Sequence, residues 1–316
     1  AIGACGAPML ARAQSALSDV VTEAEALDQL HALVVHQNGT PLIEEAWRGP
    51  GLDASANIKS CSKTIIALLT GIAIERGDIS GSDARVLPLL GRPAAGDARD
   101  NLTVGHLLSM QAGLESTSGP RYGAWVSSPD WVDHALSVPL VDEPGGRFIY
   151  STGGWHVLGA ILAEVTGRSL LDLVRDWLGD PLDLSFPPWQ RDPQGRYLGG
   201  NQMALTPKGL ARIGDMVLAR GAWGGDQVVP ATWFDTSWQP RGRSPWSRDN
   251  YGYGWFLTQL DGRAAAYGRG YGGQILAVVP DAGLTIAITS DPNRSARSIG
   301  YFGELVRLMN GIVAST

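Results

Sequence analysis

Apolar residues recur along the chain in two registers, one with the period of a helix and one with the period of a strand. Ala16, Leu17, Val20, Val21, Ala24, Leu27 and Leu30 fall near helical spacing and predict an amphipathic helix over Ala11 to Leu30. His31 to Gln37 and Leu42 to Trp47 flank Asn38-Gly39, a dipeptide suited to the φ > 0 turn of a β-hairpin. Ile65 to Ile74 is almost unbroken hydrophobe of helical length, with Gly77 placed to stop it, so this helix is expected to be buried on most sides. From Gly77 to about Gln239 the pattern becomes helices separated by Gly- and Pro-rich loops. Those helices are Thr103 through Met110, Thr152 to Val165 ended by Gly167, Ser169 to Leu178, and one opened by Thr206-Pro207 and stopped at Gly221. Beyond Tyr251 the strand period returns at Tyr253 to Leu260, Gln274 to Val279 and Leu284 to Ser290, and Ser295 to Val313 is again helical. The expected organisation is a discontinuous sheet domain, residues 1–76 and 240–316, with an inserted helical domain over 77–239. The first and last helices should share one face of the sheet.

Composition narrows the partners. The 316 residues carry 25 Lys plus Arg against 31 Asp plus Glu, a net charge of −6, and no basic block, which argues against nucleic acid. No apolar run reaches the ~20 residues that span a bilayer; the longest ends at Glu75-Arg76. Two cysteines, Cys5 and Cys61, leave no room for a disulfide framework or a cysteine-rich zinc site. The five histidines include no pair at metal-ligand spacing on a helix, so neither a metal nor a cofactor is expected. The opening Ala1-Ile2-Gly3-Ala4-Cys5-Gly6 resembles the end of a bacterial lipoprotein signal. Cys5 is therefore a candidate lipid anchor, with the bacterial periplasm or cell envelope as the matching compartment; an ordinary unstructured start and a cytoplasmic location are the alternative.

Three stretches carry candidate chemistry. Ser60 and Lys63 are three residues apart at the start of the apolar helix, so hydroxyl and amine share a face. A serine hydroxyl needs a base, and lysine serves as one only when burial and the positive helix end depress its pKa. Alone, Ser-x-x-Lys also fits a capping serine and a lysine reaching solvent. Tyr150, before Ser151-Thr152, sits where a turn can thrust its phenol out of the lobe, or where it can simply be buried. Ala266 to Gln274 is glycine-rich, as suits a backbone lying close to a ligand. Within it Gly268-x-Gly270-x-x-Gly273 spells a dinucleotide fingerprint, but it opens a strand instead of a helix, which removes nucleotide binding. His106 reads as a structural histidine. Trp125, Trp131, Trp155 and Trp189 suit an aromatic-walled cleft or a core.

Taken in order, Ser60-Cys61-Ser62-Lys63, Tyr150-Ser151-Thr152 and the glycine stretch before Gln274 resemble the serine β-lactamase and penicillin-binding-protein superfamily. Within it they look most like the class C β-lactamase-like esterases and 6-aminohexanoate-dimer hydrolases, and the likeness covers roughly residues 30 to 300. The resemblance implies an α+β fold of the β-lactamase/transpeptidase type: an antiparallel sheet flanked by terminal helices, an inserted all-helical lobe, and the site between them. It makes Ser60 the acylated nucleophile, Lys63 the base and Tyr150 the proton relay. It places the oxyanion between the backbone N–H groups of Ser60 and Arg269, and the substrate beside Thr152, Tyr267, Gly268 and Gly270. Two departures bear on substrate. Thr152 stands where β-lactamases and D-Ala-D-Ala peptidases usually have Asn, and Ala266-Tyr267-Gly268 stands where their strand motif begins with Lys. The implied activity is a cofactor-free serine hydrolase for small esters or linear amides. The alternatives are a β-lactamase or D-Ala-D-Ala carboxypeptidase, and, in another class, a non-catalytic sensor.

Overall fold

The computed structural model describes residues 17–316. Cys5, and the first part of the helix expected from Ala11, lie outside the described residues. From residue 17 that helix runs to residue 26, and Leu30 already belongs to β1 (Leu30–Gln37). β1 turns at Asn38 and Gly39, with φ of 50° and 75°, into β2 (Thr40–Ala46), as the dipeptide predicts. A short strand absent from the sequence expectation, β3 (Ala56–Lys59), then leads into the Ser62–Glu75 helix.

β3 pairs with β4 (Met203–Leu205), and a small hairpin is formed by β5 (Ala222–Trp223) and β6 (Asp226–Gln227). The remaining strands are β7 (Gly242–Arg243), β8 (Asn250–Tyr251), β9 (Phe256–Leu260), β10 (Arg263–Gly270), β11 (Gln274–Val279) and β12 (Leu284–Ser290). With β1 and β2 they make one antiparallel sheet of eight strands in the order β2-β1-β12-β11-β10-β9-β8-β7. Strands from the two ends of the chain thus meet within one open sheet, β1 pairing with β12.

The two faces of β10 show how the sheet is covered. Tyr267 and Arg269 point to one side, where the carboxy-terminal helix Tyr301–Ala314 places the Phe302 ring beside the Tyr267 ring and under the Arg269 guanidinium. Gly268 and Gly270 face the other side. There an added Cβ at Gly268 would lie 2.4 Å from Thr64 Oγ1, and one at Gly270 2.3 Å from the Ile58 carbonyl oxygen. These glycines let the Ser62–Glu75 helix and β3 lie directly on the strand. That helix is buried from Ser62 to Ala73, and each fully covered Ile or Leu contributes about 1.5–3 kcal/mol. Its other side packs on the Thr152–Thr166 helix, which ends in a left-handed Gly167 as expected.

The insert is less purely helical than its pattern suggests. It contains β4 to β6, and its Pro207–Leu218 helix lies on the sheet, where Gly214 sits flush against Thr285 and Leu276. The amino-terminal helix meets the carboxy-terminal one at Val20 and Gly311, 3.9 Å from an added Cβ. No helix among the described residues is long and apolar enough to cross a membrane.

Candidate active site

Ser60 stands in a tight turn between β3 and the helix. It does not cap that helix: Cys61 is the cap residue, without a side-chain bond to the first turn. Lys59, directly before it, holds a left-handed φ of 48°, a conformation that costs a non-glycine residue on the order of 1–3 kcal/mol. The turn is held by the Lys59 N–H donating to Asn57 Oδ1 (2.8 Å) and the Cys61 N–H donating to the Ile58 carbonyl (3.0 Å). Ser62 reinforces it, donating to the Lys59 carbonyl and accepting from the Met203 N–H at 3.1 Å. Freed from capping, the Ser60 hydroxyl faces the cleft.

Lys63 Nζ lies 3.0 Å from Ser60 Oγ, 2.8 Å from the Gly200 carbonyl oxygen and 3.5 Å from Thr152 Oγ1. Every contact is to a neutral oxygen, and among the described residues no carboxylate pairs with it. Burial therefore dominates, opposed only by the neighbouring Cys61 thiol, and lowers its pKa to about 7. An amine lowered that far is in part a free base at neutral pH, and it can then donate to Gly200 and Thr152 while accepting from Ser60. Cys61, which follows the serine, is a core thiol pushed up to about 12 by burial and turned to the Gln274 carbonyl.

Tyr150 comes from the turn before the Thr152–Thr166 helix. Its backbone is clamped by Ser116, whose hydroxyl donates to the Tyr150 carbonyl at 2.6 Å. Ser151 caps the helix, and Ser118 Oγ is 3.0 Å from Thr152 Oγ1. Lys63 Nζ sits 5.1 Å from the Tyr150 ring centre. Burial raises the phenol to about 12 against an opposing hydrogen bond with Ser60, so Tyr150 is a neutral proton donor at working pH.

Ser60, Tyr150 and Thr152 line one cleft of about 1230 Å³, together with Arg269, Gly270 and Tyr271 from the end of β10 and its turn. Two residues expected at the substrate are elsewhere. Tyr267 is only 2% exposed, stacks on Phe256 and donates to Asp249, because strand alternation turns it to the opposite face. Gly268 is covered by Thr64. The Arg269 side chain is also turned from the cleft centre: its guanidinium donates to the Ala296 carbonyl at 2.7 Å and covers the Phe302 ring at 3.4 Å. Of the two places open to the four tryptophans, cleft wall or core, the structure gives them the core. Trp125, Trp131 and Trp155 are buried and Trp189 is packed among core residues. Trp246, which carried no sequence signal beyond its aromaticity, lines the cleft instead. So do Ser118, Asn201 and Gln202, from loops that lack a periodic pattern. His106 is structural, its Nδ1 accepting from the Thr103 N–H in a capping box.

An antiparallel sheet covered by the terminal helices, with a serine and a desolvated lysine on the floor of a cleft beside it, defines a serine hydrolase fold of the β-lactamase type. The family model described as Beta-lactamase matches residues 30–301, and the chain belongs to that family. Among solved structures, a protein assigned as a 6-aminohexanoate-dimer hydrolase from Bacillus anthracis superposes with a TM-score of 0.77 at 18% identity, over 93% of this chain and 81% of that one. EstCE1, a hydrolase with promiscuous acyltransferase activity, gives 0.75 at 17% identity, over 96% and 98%. A β-lactamase from Mycobacterium bovis gives 0.68 at 18%, over 95% and 97%.

Proposed function

We propose that the protein hydrolyses small esters or linear amides through an acyl-enzyme on Ser60. The observation that carries the reading is the 3.0 Å contact between Ser60 Oγ and a lysine buried without a carboxylate. Lys63 takes the Ser60 proton as Oγ attacks the carbonyl carbon. The oxygen that becomes negative is received by backbone N–H groups of Ser60 and of the β10 end, Arg269 being the assigned partner. Tyr150 gives its proton to the departing alcohol or amine and is refilled from Lys63. Water then attacks the ester on Ser60 by the same route, releasing the acid.

Esters and linear amides are favoured over β-lactams by what surrounds the serine. The Thr152 hydroxyl is engaged by Ser118 and Lys63, and the Arg269 guanidinium by Ala296 and Phe302, so neither is spare for a substrate amide or carboxylate. The mouth of the cleft is apolar: Trp246, Tyr271 and Ile299 line it at 63%, 55% and 99% exposure. An apolar acyl or leaving group can cover them.

Ser60→Ala should abolish hydrolysis of p-nitrophenyl butyrate; wild-type turnover by that variant overturns the reading. Nitrocefin turnover with penicillin bound covalently to Ser60 would instead favour a β-lactamase or carboxypeptidase. Failure of a fluorophosphonate to label Ser60 would favour a sensor. Trp246→Ala should lower kcat/KM about 3- to 10-fold for a long acyl chain and little for acetyl, since a partial apolar contact at the rim is worth about 1 kcal/mol.

A further inference from the structure

Behind Lys63 lies a second group of ionisable side chains that the cleft does not reach. His156, on the second turn of the Thr152–Thr166 helix, has no exposed surface, and neither does the Asp192 side chain. Its Nε2 is 3.1 Å from Asp192 Oδ2, and its Nδ1 accepts the Gly199 N–H at 3.2 Å. A ring nitrogen that accepts carries no proton, so the proton is on Nε2 and is donated to Asp192. Asp192 is fixed in turn, Oδ1 accepting the Arg196 N–H at 2.8 Å and Oδ2 the Arg196 guanidinium at 3.3 Å. The Trp125 and Trp131 rings close on the imidazole at 5.9 and 5.5 Å between centres.

The residue after Gly199 supplies the carbonyl that accepts from Lys63. Gly199 and Gly200 are pressed against the helix: an added Cβ at Gly199 would be 2.4 Å from the Trp155 carbonyl oxygen, and one at Gly200 2.9 Å from Lys63 Cγ. The chain of contacts is therefore Asp192, His156, Gly199-Gly200, Lys63, Ser60. Lys63 is faced by two further titratable groups, Cys61 and Tyr150, and by no carboxylate among the described residues.

We propose that His156 and Asp192 are positioning residues that hold the Gly200 carbonyl against Lys63 and keep water from its amine, so that the base stays aimed at Ser60. The single tautomer is the working element. If Nδ1 were protonated, the Gly199 bond would be lost and the turn could lift from Lys63. This rests on the reading of Ser60 and Lys63 as nucleophile and base.

The test compares His156→Leu, which removes both bonds, with His156→Asn, whose amide oxygen can take the place of Nδ1, and with the isosteric Asp192→Asn, which permits the wrong tautomer. Steady-state ester hydrolysis against pH is measured for each, with Ser60→Ala as control. In His156→Leu and Asp192→Asn, kcat should fall on the order of 10- to 100-fold with KM within about 2-fold, as for a displaced catalytic group. The acid limb of kcat/KM should move upward by at least about half a unit as water reaches the amine. His156→Asn should recover most of kcat. A kcat and acid limb unchanged in Asp192→Asn overturns the proposal, as does a kcat loss in both variants with the limb unmoved, which marks a merely structural role. Activity retained in Ser60→Ala instead overturns the underlying reading and is seen separately. If His156→Leu does not fold, Asp192→Asn and His156→Asn decide.

Discussion

The interior treats two buried basic side chains in opposite ways. His36, on β1, meets Asp215 of the Pro207–Leu218 helix at 2.7 Å, with Glu44 3.6 Å from its other nitrogen, and the hydrogen bond to Asp215 raises its pKa. Lys63 is buried more deeply and is given only hydroxyls and a carbonyl, and its pKa falls to about 7. The first arrangement favours the charged imidazole and ties a helix to the sheet. The second withholds the partner, which destabilises the cation and yields a base. The difference lies in the deeper burial of Lys63 together with which oxygens the fold supplies at each place.

The comparison can be broken most severely at the lysine. Lys63→Met should reduce ester hydrolysis by about 10³-fold or more, as for loss of an activating base. It should also raise the melting temperature at pH 7. Because the folded pKa of Lys63 lies below its unfolded value, the folded protein binds fewer protons between about 7 and the ordinary lysine range, and wild-type stability rises with pH across that window. The variant should lose that rise, as urea unfolding at several pH values can register.

A smaller effect follows from giving Lys63 the partner it lacks. Thr152→Asp places a carboxylate near Nζ, now 3.5 Å from Thr152 Oγ1. An opposite charge at that range raises a lysine pKa by about 1–3 units. The acid limb of kcat/KM should climb accordingly and activity at pH 7 fall on the order of 10-fold. An unmoved limb would show that the limb does not belong to Lys63.

The smallest effect comes from removing the partner that His36 has. Asp215→Asn should leave ester hydrolysis within about 2-fold and cost about 1–3 kcal/mol of stability, the range for a lost buried polar contact. His36 has a raised folded pKa, so its contribution is complete below its unfolded value and is lost as pH rises through the folded one. The loss measured by urea unfolding should therefore be larger near pH 5 than near pH 8.

Much of this was legible in the residues. The hairpin at Asn38-Gly39 was marked by its turn dipeptide, and the helix after Ser60 and the strands β11 and β12 by apolar runs that match their burial on all sides; β9 was marked by its flanking turn signals. Ser60, Lys63 and Tyr150 were found by spacing and order, and the structure brings all three together. β10 was not legible as a strand. Its inner face is Gly268 and Gly270, since a helix and β3 lie directly on it, and glycine carries no hydrophobic signal. The resemblance placed Tyr267 and Gly268 at the substrate, whereas strand alternation buries Tyr267 on the far face and Thr64 covers Gly268. β3 and β4 are too short to show a period and are fixed by tertiary contact, with Asn57 donating to Gln202 at 2.6 Å. The tryptophans could not be sorted into wall and core because an indole serves either, and only packing put Trp155 inside and Trp246 at the mouth.

The central claim is that an uncharged Lys63 activates Ser60. It is tested most directly by the pre-steady-state rate at which p-nitrophenyl butyrate acylates the protein as a function of pH, with the modified residue located by peptide mass mapping. The account predicts a butyryl group on Ser60 and a rate that rises with pH to a plateau with a midpoint near 7. Acylation at another residue, or a rate still rising at the ordinary lysine pKa of about 10.4, would contradict it.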